Sequence, residues 1–94
     1  MIKTPVVIAL NTGTYTPITL NDQAAEGFSI HTSDGSAFYY AVDASGTGEA
    51  LVPDNASLSW GHYEPAHATI MYAKSVTGTP DLIVNLGNTK YEVV

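Results

Sequence analysis

His62, Glu64 and His67 form an H-x-E-x-x-H cluster in this 94-residue chain. On a strand, positions 62 and 64 project to one face, and a turn at Pro65 would return His67 beside them, as a two-histidine, one-carboxylate metal site requires. The H-x-E-x-x-H spacing is neither the helical H-E-x-x-H zinc motif nor an H-x-H pair. Pro65-Ala66 reads more simply as a loop between two strands with both histidines solvated, so no metal and no other cofactor is expected.

His31, Ser33 and Asp34 supply the residue types of a nucleophile, base and orienting carboxylate, but neighbours at a strand end cannot form that relay. Ser33-Asp34-Gly35 reads instead as a hairpin turn, and no G-x-S-x-G elbow exists to expose a serine. The nine acidic residues are scattered through turns, as on a solvated surface, and do not pair as a glycosidase would need. Gly46-Thr47-Gly48 lacks the remaining glycine and lysine of a phosphate loop. The expectation is a protein that is not an enzyme.

The aromatics allow a binding reading. Tyr39, Trp60, Tyr63 and Tyr72, with Phe38 and Tyr40 nearby in sequence, would make a platform on which sugar rings stack. The simpler role for Trp60, two residues from Leu58 on one strand, is an anchor in the core or between subunits.

These side chains must be held by short strands. Turn residues recur at Asn11-Thr12-Gly13, Asn21-Asp22, Ser33-Asp34-Gly35, Ser45-Gly46-Thr47-Gly48, Pro53-Asp54-Asn55, Pro65-Ala66, Thr77-Gly78-Thr79-Pro80 and Gly87-Asn88. The runs between them are rich in Val, Ile, Thr, Tyr and Phe, and no long segment has helical periodicity. Strands are predicted at 5–10, 14–20, 27–32, 36–43, 49–52, 57–62, 68–75, 81–86 and 90–93, with 21–26 as a loop. Alternation turns Phe28 and Ile30 inward against Ser29 and His31, and Leu82, Val84 and Leu86 inward against Asp81, Ile83 and Asn85. It likewise sets Phe38, Tyr40 and Val42 inward against Ala37, Tyr39 and Ala41. The fold class is all-β: one compact antiparallel β-sandwich over residues 1–94, with the jelly roll among its forms.

Strands 36–43 and 68–75 are apolar on both faces, so a second face also needs cover, from a loop, a partner sheet or a neighbouring subunit. A homo-oligomer is expected, with a trimer favoured. Hydrophobic residues make up 45% of the chain and charged residues 13%, which argues against disorder. Three lysines, no arginine and a net charge of -6 weigh against nucleic-acid binding and attachment to anionic lipid. The apolar run at 5–10 is too short to span a membrane. With no cysteine there is no disulfide, thiolate metal site or thiol nucleophile.

The central S-A-F-Y-Y-A-V run, the A-T-I-M-Y-A-K-S run at 68–75, Thr77-Gly78-Thr79-Pro80 and the closing L-I-V-N-L run at 82–86 resemble the small β-sandwich virion proteins of tailed bacteriophages. In those proteins a strand of this kind is joined by a short Gly/Thr hairpin to a final strand. The likeness covers mainly residues 36–87. It implies a non-enzymatic structural protein located in the virion, a capsid decoration or cement protein that assembles as a homo-oligomer and contacts major capsid or tail proteins. The alternative is a carbohydrate-binding or host-receptor-binding sandwich module, which leaves a glycan among the expected partners.

Overall fold

A computed structural model of the chain describes residues 4–86, with Trp60 and His62 described through their backbone. The predicted strand at 90–93 and the Gly87-Asn88 turn lie outside the described residues. Among the described residues eight strands follow one another: β1 (Val6–Ala9), β2 (Thr16–Thr19), β3 (Ala25–Thr32), β4 (Phe38–Ala41), β5 (Ala50–Val52), β6 (Leu58–Glu64), β7 (Thr69–Ser75) and β8 (Asp81–Leu86). They form two four-stranded antiparallel sheets, ordered β1-β8-β3-β6 and β2-β7-β4-β5.

The pairing is nested. β1 pairs with β8, β2 with β7, β3 with β6 and β4 with β5, as if one long hairpin had been rolled up. The β3·β8 and β4·β7 pairs then close each sheet. This is the eight-stranded jelly roll. Among the described strands only β4 and β5 are joined by a hairpin; every other connection crosses from one sheet to the other. Ser33-Asp34-Gly35 is therefore a crossover and not the predicted hairpin, and 76–80 likewise carries the chain from β7 to β8 in the opposite sheet. Buried hydroxyls shape both bends. The Thr32 Oγ1 hydroxyl donates to Ser36 O at 2.6 Å and the Ser75 Oγ hydroxyl to Gly78 O at 2.7 Å, so neither polar group is left unsatisfied.

The core fills the space between the sheets. Ile18, Leu20, Ile30, Phe38, Ala73, Leu82 and Val84 are fully buried there. Alternation explains most of it: Phe28 and Ile30 face in while Ser29 and His31 face out, and β8 follows its predicted pattern. The main departures from expectation are in β3, β4 and β6, the last of which runs on to Glu64, two residues past its predicted end. β3 starts two residues early, at Ala25, because Gly27 takes φ 84 at a register shift between Glu26 and Phe28. That bulge resets the alternation, so Ala25 and Phe28 are both buried although three residues apart. β4 stops at Ala41, so Val42 is 70% exposed against its predicted inward place, while Ala41 keeps the outward side, paired with Tyr72, yet is only 1% exposed. The turn residues that follow pull the chain off the sheet, with the Val42 N–H donating to Thr47 O. Pro17 is accommodated within β2 because that strand lies at a sheet edge, where its missing N–H breaks no ladder.

The loops divide between two ends. Loops 10–15, 33–37, 53–57 and 76–80 meet at one end and are tied together, for example by the Leu10 N–H to Pro80 O, the Ser75 N–H to Asn11 O and the Asn55 N–H to Gly35 O. Loops 20–24, 42–49 and 65–68 form the other end.

Candidate functional site

The two strands that are apolar on both faces lie side by side, since β4 pairs with β7 in the middle of the second sheet. Their inward residues fill the core. Their outward residues join those of β2 and β5 in a cross-strand row. Thr16 pairs with Ala73, Ala73 with Tyr40 and Tyr40 with Ala50, so the next row runs Tyr15, Lys74, Tyr39, Leu51. Beyond it, Pro17, Tyr72 and Ala41 form a second row. Leu51 is 53% exposed, and Tyr39 and Tyr72 are half-buried.

One cation sits among these rings. The Lys74 ammonium lies 4.8 Å from the centre of the Tyr15 ring and 5.7 Å from that of Tyr39, within reach of the negative ring faces. Glu49 Oε2 is 3.8 Å from the same ammonium and accepts the Tyr15 hydroxyl. The charge of Lys74 is thus balanced within the face, and an otherwise acidic chain presents there a surface of aromatic and aliphatic groups. Tyr15 is itself buried, because loop 42–49 folds over it. A Cβ on Gly46, at φ +87, would stand 3.1 Å from Tyr15 Cε2, so the backbone passes directly over the ring. Asp43 organises that loop, its Oδ1 accepting from the Ser45 and Thr47 N–H groups. Hydrogen bonds from the Thr47 side chain and then its backbone hold the Asp43 carboxyl below its ordinary value of 3.8.

The four aromatics singled out from sequence are not gathered into one platform. Tyr39 and Tyr72 stand on the outer face just described, whereas Tyr63, 58% exposed, and the backbone of Trp60 belong to β6 in the other sheet. Tyr15, Glu49 and Lys74 were missed. They are far apart in sequence and share no motif; the one signal was a lysine inside an otherwise apolar strand.

The remaining candidates are placed as follows. Pro65-Ala66 is the loop between β6 and β7, as predicted. After it, His67 is exposed and places Nδ1 3.0 Å from Asp22 Oδ1. Glu64 is half-buried and lines an apolar pocket of about 290 Å³ with Tyr40, Leu58 and Ile70. Among the described residues no three His, Asp or Glu side chains are grouped to hold a metal ion. Asp34 Oδ1 accepts from the Ser36 hydroxyl at 2.6 Å and the Ser36 N–H at 3.0 Å, which lowers its pKa and commits it to the crossover. His31 faces outward from β3 and is half-buried.

Comparison with family models, with curated proteins and with solved structures returns no match.

Proposed function

We propose that this chain is a non-enzymatic structural protein of a bacteriophage virion, a decoration protein that binds an assembled capsid as a homo-oligomer, with a trimer expected. The observation that carries the reading is the outer face of the β2-β7-β4-β5 sheet, where Tyr39, Tyr72 and Leu51 share one surface with a lysine neutralised by Glu49. Apolar outer faces on small sandwiches are a cost in solubility unless another surface covers them. A stable interface buries about 500 Å² per partner, roughly a tenth of the 5182 Å² this chain exposes, so one sheet face suffices.

The mechanism is linkage. A protein that binds the assembled shell in preference to its free subunits adds its binding free energy to the stability of the particle. Many copies on a repeating lattice multiply a modest affinity, and no bond-making chemistry is required. The test is to heat particles with and without this protein and follow release of the packaged genome. Earlier release from particles lacking it supports the reading, and equal release overturns it.

A further inference from the structure

The opposite sheet carries a second feature, independent of the virion reading. On its outer face, at the end where the crossover loops are tied together, lies a groove of about 370 Å³ lined by Ser29, His31, Asn55, Ser57 and Asn85. Its volume falls in the range of small-molecule sites, about 300–1,000 Å³.

The lining has a definite chemistry. Among the described residues, no aspartate, glutamate or lysine borders the groove. Its side chains are the hydroxyls of Ser29, Thr32 and Ser57, the carboxamides of Asn55 and Asn85, the His31 imidazole and the Ala56 methyl, with the Thr32 hydroxyl already committed to Ser36 O. Hydroxyls and carboxamides both donate and accept, as the hydroxyls of a sugar do. Among the described residues, no side-chain hydrogen bond ties up Ser29, His31, Ser57 or Asn85. Among the described residues a phosphate or sulfate would find no lysine or arginine here, and a hydrocarbon would strand the polar groups.

The groove is also built rather than loose. Its rim joins loops 33–37 and 53–57, where the Asn55 N–H donates to Gly35 O at 2.7 Å and the Ala37 N–H to Asp54 Oδ1 at 2.8 Å. Gly35 has φ +80, a conformation that favours glycine, and a Cβ there would stand 2.5 Å from Asn55 Oδ1 and push that side chain aside. Asn55 is held in the left-handed region at φ 59. The rim is therefore ordered before any ligand arrives, which lowers the entropic cost of binding. Farther along β6, Tyr63 shares the outward side of the strand with Ser57 and Ser59, about 13 Å beyond Ser59. A sugar chain leaving the groove along β6 would meet an exposed ring able to stack beneath it.

We propose that this groove binds a neutral saccharide. The experiment screens the intact protein against maltoheptaose, xylohexaose, mannan, dextran and galactan, with heparin and alginate as anionic counterparts. The tightest neutral binder is then titrated into isotope-labelled protein, and amide shifts are followed. We expect a neutral sugar to be selected and its shifts to centre on residues 29–31, 55–57 and 85. A Ser29→Ala, Asn85→Ala double variant, which alters only outward side chains, should weaken binding by about tenfold. Ser57→Trp, which fills the groove, should abolish it while the remaining spectrum is unchanged. Should no neutral sugar bind, should the anionic polymers be preferred, should the shifts centre on Tyr39 and Tyr72, or should the variants bind as the native chain does, the proposal fails. Binding of the short oligosaccharides identifies the groove itself as sufficient. Binding of the polymers alone, with the same variants impaired, supports a site that reads a longer surface glycan through Tyr63.

Discussion

A charge placed at Leu51 separates folding from assembly. Leu51 is 53% exposed, so its replacement by lysine disturbs only the packing of half a side chain, a cost of about 1 kcal/mol at most. Two residues earlier, at the end of loop 42–49, Glu49 offers the new ammonium an opposite charge. In an assembled interface the same ammonium would be buried among Tyr39 and the partner's apolar groups. Losing the remaining leucine burial and desolvating a charge together cost about 2 kcal/mol or more. The dissociation constant of self-association should therefore rise by about thirtyfold or more in Leu51→Lys, with little change in the unfolding midpoint. Sedimentation velocity at micromolar concentrations across a salt series reads this directly. Ser29→Lys, on the outer face of the other sheet, is the control and should assemble normally. A native chain that is monomeric throughout, or a Leu51→Lys variant that assembles as the native chain does, would refute the reasoning.

Three further outcomes are expected. Gly35→Ala places an alanine in the left-handed region and displaces the Asn55 side chain, and should lose about 1–2 kcal/mol in urea unfolding; a loss under about 0.5 kcal/mol would show that the backbone at this crossover relaxes freely. Asp43 has a depressed folded-state pKa, so its ordering of loop 42–49 is complete above its ordinary 3.8 and is lost as pH falls through the lower folded value. Amide signals of 45–47 should shift in that acid range in the native chain and not in Asp43→Asn. Replacing His62 and His67 by alanine should leave stability within about 0.5 kcal/mol, because His67 is exposed and its pairing with Asp22 is screened; one equivalent of tightly bound transition metal, lost in that variant, would contradict this.

The strands were legible because alternation is local. Phe28, Ile30, Leu82 and Val84 could be turned inward from sequence alone, and 81–86 was delimited without error. Where glycine was read as a breaker the reading failed, since Gly27 marks a register shift within the β3–β6 pair and not the start of β3. The connections were misread for a different reason. Ser33-Asp34-Gly35 carries the same turn chemistry whether the chain doubles back within a sheet or arches to the next one. The choice lies in distant pairings such as β3 with β8, which no local residue announces. The same holds for the site. Two strands without a polar side were visible as a surface that needs covering, but the meeting of Tyr15, Glu49 and Lys74 depends on β2, loop 42–49 and β7 coming together.

The decoration role is tested most directly on the particle itself. Capsids stripped of this protein are reconstituted with the native chain or with Leu51→Lys and heated in parallel, while genome release is followed by a DNA-binding dye. The account predicts that the native chain raises the release temperature and that Leu51→Lys, folded but unable to cover the outer face of its second sheet, does so weakly or not at all. Release at one temperature with the native chain, with the variant and with no added protein would contradict it.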